Sequence, residues 1–390
     1  MTDLLSAADD LNRRAGAWRT EPARSTQFEA LALAVSANVP VLLWGEPGIG
    51  KSAGLERLAG GLGVPLETVI ASVHEPSDFA GLPIIGDDPA AHGVPMAPPD
   101  WAVRLATAGR GVVFFDELSS APPAVQAALL RVVLERRVGS LALPERVRVV
   151  AAANPPASAA DGWHLSPPLA NRFVHLRWTH EPATVARGMA GTWPEPSMPA
   201  VDPGKAAAAV ARARGAVSGF LTARPGLAHH LPGDAEARGG AWPSPRTWEM
   251  ALRLLATGYA TGARADAVAA AVVGAVGDGA GLELLAYLDE LDLPDPNRVL
   301  ADPSAFALPE RGDRQLAFLT AVVSAVQDDP TRRRWEAGWD VLAKAVEAGV
   351  PDVAARAAAD LAALREPDWP VPSGIDGFVD LLRLSGALPG

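Results

Sequence analysis

One short segment constrains the fold of this chain more than any other. The run Gly45-Glu46-Pro47-Gly48-Ile49-Gly50-Lys51-Ser52 follows the pattern G-x-x-x-x-G-K-[ST] at every fixed position. Its glycines allow successive backbone N–H groups to curl around phosphate oxygens, because no Cβ stands in the way. Lys51 would add a positive charge for the β and γ phosphates, and Ser52 would offer a hydroxyl to Mg²⁺. The pattern predicts a phosphate-binding loop, and an ordinary glycine-rich turn is the alternative.

The residues on either side of this loop favour a phosphate-binding loop over an ordinary turn. Residues 39–44 are an apolar run with the length of a short buried strand. From Lys51 onward, Leu55, Leu58 and Leu62 recur at helical spacing. Strand, loop and helix follow one another in the order that a phosphate-binding P-loop requires, and the positive end of the helix would face the anion. The sequence therefore predicts a nucleotide-binding protein.

A second signal is an acid pair at the end of an apolar run. Residues 112–115 are β-branched and aromatic, which is typical of a parallel strand buried on both faces. Asp116 and Glu117 follow, where ligands bind in open α/β sheets. In a P-loop protein the first acid would hold Mg²⁺ and the second would polarise the attacking water. Acids also occur at strand ends for capping, but the upstream P-loop favours the catalytic role.

Three more strands are predicted, at residues 66–72, 147–153 and 173–178, which makes five in a parallel sheet. Asn154 closes the second of these, directly before a proline. It is either a turn former, the common role of asparagine before proline, or an amide that orients the attacking water beside Glu117. The spacing leaves both interpretations open.

Hairpins and helices complete the predicted organisation. The first 38 residues predict two helices, and another helix is predicted from about 122 to 137. Small hairpins are predicted from residues 84–86 with 93–95 and over 138–143. From about residue 205 the chain is almost entirely helical, and Ser244 with Pro245 predicts one helix start. Apolar spacing predicts three later helices, at 282–291, 314–326 and 335–348.

Composition excludes several classes of protein. The 390 residues suit two or three domains, and the net charge of −11 disfavours a broad nucleic-acid surface. Without cysteine, the chain has no disulfides, thiolate metal sites or thiol nucleophiles. No run of eighteen apolar residues predicts a membrane span, and no secretory signal is visible, so we expect a cytoplasmic protein. The adjacent His229 and His230 lie in a Pro/Gly-rich loop and are expected to face solvent rather than a metal.

Together these motifs resemble those of the AAA+ ATPases over about residues 25 to 275. The run Glu75-Pro76-Ser77-Asp78, with Gly81-Leu82-Pro83 and Ala153-Asn154-Pro155, resembles the MoxR-type group more narrowly. The resemblance implies an α/β P-loop AAA+ core with a five-stranded parallel sheet, then an α-helical lid and a helical C-terminal extension. The domains would be 1–200, 201–275 and 276–390, and the last segment matches no motif.

The resemblance also implies a role for each motif residue. Residues 45–52 would be the Walker A loop, with Ser52 and Asp116 at the metal and Glu117 as the second Walker B acid. Asn154 would be sensor 1, Arg172 the finger that reaches a neighbouring subunit's γ-phosphate, and Arg246 sensor 2. The family usually has Asp before the finger arginine, where this chain has Asn171. The lid of this branch is often displaced, so Arg246 could serve its own subunit or a neighbour.

The implied activity is hydrolysis of ATP with Mg²⁺ in a homo-oligomeric ring, most often a hexamer. Family members act as chaperones or remodellers, commonly with a partner bearing a von Willebrand A domain, in metal insertion or maturation of a client protein complex. A nucleic-acid-directed motor and a nucleotide-sensing scaffold remain alternatives. The motor would need basic pore hairpins, and only the second predicted hairpin has arginines nearby: Arg136, Arg137, Arg146 and Arg148. Arg172 could also simply brace the loop before Phe173.

Overall fold

The computed structural model describes residues 25–85, 94–155, 163–191, 193, 200–291, 293–370 and 372–379. The strands are β1 (Val41–Trp44), β2 (Leu66–Ile70), β3 (Leu82–Pro83), β4 (Met96–Ala97), β5 (Arg110–Asp116), β6 (Arg137–Val138), β7 (Leu141–Ala142), β8 (Arg146–Ala153) and β9 (Val174–Arg177). The helices up to the end of the sheet are α1 (Thr26–Ser36), α2 (Lys51–Leu62), α3 (Ser77–Ala80), α4 (Asp100–Ala108), α5 (Pro123–Glu135) and α6 (Pro167–Ala170).

The remaining described helices follow the sheet in the chain. They are α7 (Pro182–Met189), α8 (Pro203–Ala223), α9 (Ala235–Arg238), α10 (Pro245–Thr261), α11 (Ala265–Val276), α12 (Asp278–Glu290), α13 (Pro296–Ala301), α14 (Gly312–Asp328), α15 (Arg332–Glu347) and α16 (Pro351–Ala362). The second predicted N-terminal helix is α1, whereas the first lies outside the described residues.

The central sheet has five parallel strands, as the sequence predicted, and their order is β2-β5-β8-β1-β9. β1, which leads into the P-loop, lies between β8 and the edge strand β9, with Leu42 opposite both Ala151 and His175. The carboxyl ends of all five strands therefore meet at one edge of the sheet. This arrangement gathers Trp44, Asp116 and Ala153 at that edge.

Alternate residues of each strand enter two different cores, because successive side chains point to opposite faces. In β5, Val112 and Phe114 pack with helices α1, α2, α10 and α11 on one face. Val113 and Phe115 pack with α4, α5 and α6 on the other face. All four side chains are buried, which explains the uninterrupted apolar run in the sequence.

Two hairpins project from the sheet and pack against each other. β6 pairs with β7 as predicted, and β3 pairs with β4. The paired residues of the first hairpin lie further from its tip than we predicted, although Ile84 N still donates to Pro95 O at 2.9 Å. Its tip, at 86–93, lies outside the described residues. Gly139 N donates to Phe79 O at 3.3 Å, and Ser140 N to Met96 O at 3.0 Å, so the hairpins form one unit.

The chain after the sheet is helical, as predicted. The three late helices predicted from apolar spacing correspond to α12, α14 and α15. A separate apolar cluster holds the C-terminal helices together around Phe318, Trp335 and Trp339, all fully buried. α8 contacts both α10 and α14 and so connects the two parts of the helical region. The division into domains at 200 and 275 stays a prediction.

Candidate active site

The phosphate-binding loop lies between the end of β1 and the start of α2. Gly48 and Gly50 have φ values of 77° and 87°, a left-handed conformation that other residues rarely adopt. A Cβ on Gly45 would lie 2.5 Å from the carbonyl oxygen of Trp178. Glycine is therefore required at all three positions by backbone conformation or by close approach, independently of any ligand.

The side chain of Lys51 is buried and held by three oxygen acceptors. Its Nζ donates to Gly45 O at 2.6 Å, Glu46 O at 3.0 Å and Asn154 Oδ1 at 3.0 Å. Burial lowers the pKa of Lys51, while the nearby carboxylates of Asp116 and Glu46 act in the opposite direction. The ammonium group of Lys51 is thus held at the loop. A bound phosphate would compete with the carbonyl oxygens of Gly45 and Glu46 for its hydrogen bonds.

Ser52 and Asp116 provide a pair of oxygen atoms beside this lysine. Ser52 Oγ donates to Asp116 Oδ2 at 3.1 Å, which joins the first turn of α2 to the end of β5. Oxygen ligands of this kind suit Mg²⁺, which keeps several waters and binds through a few protein groups plus substrate phosphates. Among the described residues there is no cluster of three or more His, Cys, Asp or Glu side chains that could hold a metal ion. The residues present therefore fit Mg²⁺ bound together with a nucleotide.

Glu117 leaves the strand in a left-handed conformation, with φ 56° and ψ 37°. Its backbone N–H donates to Asp116 Oδ1 at 2.9 Å, and its side chain accepts a hydrogen bond from Ser72 Oγ at the end of the neighbouring strand β2. Such a backbone conformation is uncommon for a residue with a long side chain and is often associated with functional sites. Ser72 holds an otherwise exposed carboxylate at the edge of the sheet.

Asn154 lies beside Lys51. Its Oδ1 accepts the lysine hydrogen bond, and its backbone N–H donates to Ser119 Oγ at 3.0 Å. Ser119 is 3% exposed, so it anchors Asn154 from within the core. The side chain of Asn154 is therefore in contact with the P-loop lysine, and its role toward an attacking water stays a prediction.

A cavity of about 1610 Å³ borders the P-loop. Its walls come from the loop, the start of α1, the end of β9 and helix α11, and include Gly45, Ile49, Trp178 and Gly274. Ligand pockets for small molecules typically measure 300–1,000 Å³, so there is ample room for a nucleotide. Of the predicted site residues, Gly45, Glu46, Ile49 and Asn154 line this cavity, whereas Lys51, Ser52, the two acids and the two arginines do not.

The two arginines lie together elsewhere, joined through Asn171. Asn171 is 2% exposed; its Oδ1 accepts from Ser244 Oγ at 2.8 Å and from Arg246 Nη1 at 3.3 Å. Its Nδ2 donates to Trp242 O at 3.2 Å. Asn171, which stands where the family usually has Asp, therefore fixes the start of α10. As predicted, Ser244 is the N-cap of that helix.

The guanidinium group of Arg172 does not use all of its hydrogen-bond donors in this arrangement. One guanidinium nitrogen donates to Pro168 O, while its buried Nε has no hydrogen-bond partner among the described residues. Burial and the neighbouring Arg246 both lower the pKa of Arg172. In the described part of the chain, no carboxylate forms an ion pair with either arginine. Two adjacent cations without a counter-ion would be stabilised by an anion.

The structure therefore gathers the predicted residues into two groups. The P-loop, Asp116, Glu117 and Asn154 meet at one edge of the sheet, and Arg172 and Arg246 form the second group. Sequence reasoning missed the supporting residues Ser72, Ser119 and Asn171. The only signal for the two serines was a hydroxyl residue close to the end of a predicted strand, which is too common to select them.

Comparison with known proteins agrees with this geometry. Residues 40–173 match the family described as AAA domain (dynein-related subfamily). A stretch of 141 residues is 36% identical to Protein MoxR of Methylorubrum extorquens and covers 36% of this chain and 39% of that protein. The matching stretch thus spans about two fifths of the relative's length.

Two solved structures show weaker similarity. A candidate ATPase from Cytophaga hutchinsonii has 16% identity and a TM-score of 0.44, covering 68% of this chain and 88% of that one. A full-length MCM homolog from Methanopyrus kandleri has 18% identity and a TM-score of 0.35, covering 67% and 53% of the two chains.

A parallel sheet of this order, with a P-loop after β1 and an acid pair after β5, defines a P-loop AAA+ domain, and the family match places it at residues 40–173. The resemblance to MoxR-type AAA+ ATPases is confirmed over this domain by the match to MoxR. None of the described helices is long and apolar enough to cross a membrane.

Proposed function

We propose that this chain hydrolyses ATP with Mg²⁺ in a homo-oligomeric ring whose active sites are shared between subunits. The observation that carries the proposal is that Arg172 and Arg246, brought together by the contact of Arg246 with Asn171, have no carboxylate partner among the described residues. A neighbouring subunit's γ-phosphate would supply the missing anion. An arginine provided in this way typically raises the rate of phosphoryl transfer by roughly 10³–10⁵.

The residues at the P-loop have separate roles in this proposal. Mg²⁺ with ATP, when bound, supplies the γ-phosphoryl group that water attacks and part of the positive charge that stabilises the transition state. Lys51 binds phosphate oxygens, and Ser52 with Asp116 holds the ion. Glu117 accepts a proton from the attacking water. Asn154 orients the ammonium group of Lys51 toward the phosphates through the hydrogen bond to its Oδ1. Because Arg246 donates to Asn171, the residue directly before Arg172, we assign it to the neighbour's site as well.

The hairpins support a protein client over a nucleic acid. Leu82, Ile84 and Ile85 on the first hairpin are 63%, 52% and 79% exposed. Near the second hairpin, the guanidinium of Arg136 donates to Pro144 O, and that of Arg148 donates to Val35 O at 2.8 Å. These two arginines are thus occupied by backbone carbonyls instead of being free for phosphates.

The remaining parts of the proposal rest on the resemblance. They are a hexameric ring, a chaperone or remodelling activity, a von Willebrand A-domain partner, and maturation or metal insertion in a client complex. A cytoplasmic location and the division into core, lid at 201–275 and extension at 276–390 belong with them. ATP-dependent copurification with the Glu117→Gln form would identify the client, since a trapped ATP state should retain it.

A mixing experiment tests the shared site. Arg172→Ala and Lys51→Ala should each be nearly inactive alone, because one lacks the finger and the other lacks a competent P-loop. Mixed at equal concentration, they should regain ATPase activity, since a Lys51→Ala subunit still presents Arg172 to its neighbour. Arg356→Ala, on the exposed side of α16, is the matched control and should retain full activity.

The outcomes separate the alternatives. No gain on mixing, with subunit exchange confirmed by labelled chains, would mean that Arg172 only braces its loop. ATP binding without any turnover in the wild type would favour a sensing scaffold. Several-fold stimulation by single-stranded or duplex DNA or by RNA would favour a nucleic-acid motor. Sedimentation of Glu117→Gln with Mg²⁺ and ATP should show a species several times the mass of the 40.4 kDa chain.

A further inference from the structure

A chain of two hydrogen bonds runs from the P-loop strand to the loop that bears the finger arginine. Trp44 Nε1 donates to His175 Nδ1 at 2.8 Å, and His175 Nε2 donates to Ala170 O at 2.9 Å. The two rings are nearly parallel, 18° apart, with centroids separated by 6.1 Å. His175 therefore bridges strand β1 and the end of helix α6 through its side chain.

Both ends of this bridge lie next to the proposed catalytic groups. Trp44 is the last residue of β1 and directly precedes Gly45, the first residue of the P-loop. Ala170 is the last residue of α6 and directly precedes Asn171 and Arg172. Ala170 O also accepts from Phe173 N at 3.1 Å, so His175 is a second donor to the carbonyl from which the arginine loop departs. A displacement of Trp44 can therefore be transmitted to Ala170, or the reverse, through one side chain and two hydrogen bonds.

The bonds also fix the protonation state of His175. Its Nδ1 accepts and its Nε2 donates, which is the pattern of the neutral tautomer that carries its proton on Nε2. A second proton, on Nδ1, would point at the N–H of Trp44. Burial lowers the pKa of His175 to about 4, so the ring is neutral at pH 7. His175 also lines the cavity beside the P-loop, where a nucleotide would lie.

We propose that His175 is a positioning residue that couples the P-loop of a subunit to the placement of its own Arg172 and Arg246. In this way the nucleotide bound in one subunit controls how that subunit presents its arginines to the next. The inference rests on the shared site proposed above and adds a route for communication around the ring. The proposal predicts an asymmetry between subunits: substitution of His175 should lower ATP hydrolysis when it is made in the subunit that donates the arginines.

The first test measures coupling within one chain by amide hydrogen exchange, with ADP and ATP as the probes. In the wild type, nucleotide should change exchange at residues 45–52 and also at 169–173. In His175→Phe, which removes both hydrogen bonds and keeps a ring, the P-loop change should persist and the change at 169–173 should fall at least fivefold. An unaltered response at 169–173, with nucleotide affinity retained by calorimetry, would overturn the proposal.

His175→Gln serves as the conservative variant, because its amide can accept from Trp44 and donate to Ala170. It should recover most of the response at 169–173. His230→Phe, an exposed histidine outside the cavity, is the control and should behave as wild type. Failure of the wild type to bind nucleotide would instead refute the proposed function, and the coupling with it.

The second test uses the mixed ring to establish direction. Because Lys51→Ala is expected not to bind ATP, Glu117→Gln, which should bind ATP without turnover, replaces it here as the subunit that donates Arg172 to Arg172→Ala. His175→Phe placed in the Glu117→Gln subunit should lower the mixed ATPase rate at least fivefold. The same substitution in the Arg172→Ala subunit, which carries the working P-loop, should leave that rate within twofold. Equal losses in the two positions would show that His175 only stabilises the fold, and would overturn the assignment.

Discussion

Asn171 Oδ1 accepts a hydrogen bond from Arg246 Nη1 at 3.3 Å, and so ties the residue before the finger arginine to the start of helix α10. The contact crosses from the sheet to the helical region, 75 residues further along the chain. It is the reason why two arginines that are remote in sequence lie side by side.

The first prediction concerns this contact. Asn171→Ala should lower the free energy of unfolding by about 1–3 kcal/mol, because it removes the buried hydrogen bonds of Asn171 with Trp242 O and Ser244 Oγ and leaves these two atoms only their contacts with Thr247. Urea denaturation followed by circular dichroism measures the effect. Asn171→Asp keeps the acceptor for Ser244 and Arg246 and should lose less stability. If the Asp and Ala variants were equally destabilised, the acceptor would not be the important group.

A second prediction separates nucleotide binding from turnover. Lys51→Ala should abolish ATP binding, because it removes the buried cation at the P-loop. Glu117→Gln should bind ATP normally and lose nearly all turnover, since only the base is removed. Calorimetry with ATP and a steady-state phosphate-release assay measure the two effects. Equal ATP affinity in wild type and Lys51→Ala would contradict the P-loop assignment.

A third prediction compares two glycines of helix α2. A Cβ at Gly54 would lie 2.7 Å from the Trp178 ring, whereas nothing lies within 4 Å of one at Gly60. Gly54→Ala should therefore destabilise the protein by about 1–3 kcal/mol through overpacking. Gly60→Ala should stabilise it by about 0.5–1 kcal/mol, because alanine loses less backbone entropy in a helix. Thermal melts of both variants check the opposite signs.

The fourth prediction is a pH dependence of stability due to His175. Its pKa is about 4 in the fold and about 6.5 when unfolded, so between these values the unfolded chain binds a proton that the folded chain does not. Stability should fall as the pH decreases through this window, by about 1.4 kcal/mol per pH unit from this group, and its contribution is complete above pH 6.5. His175→Gln should flatten the curve between pH 6.5 and 4. If the free energy of unfolding changed with pH in the same way in the wild type and in His175→Gln, His175 would not be the source of the pH dependence.

The local features of the site could be predicted from the sequence. Gly48 and Gly50 adopt left-handed conformations that the P-loop pattern required, and Val112, Val113, Phe114 and Phe115 are buried on both faces of the sheet as their composition indicated. Ser244 caps its helix as its position before Pro245 predicted. These features depend on residues that are neighbours in the chain, where backbone geometry and side-chain type leave few alternatives.

Contacts between distant segments could not be predicted in this way. The partners Ser72 and Glu117, Lys51 and Asn154, and Trp44 and His175 are separated by 45, 103 and 131 residues. The first two pairs meet because parallel strands bring their carboxyl ends to one edge, and the third because β1 and β9 are paired neighbours. Strand order is set by the packing of whole faces rather than by local pattern. The sequence by itself determined the P-loop, the acid pair and the buried strands. Only the tertiary structure placed Asn154 at Lys51 and paired Arg172 with Arg246, because these contacts depend on which elements become neighbours in space.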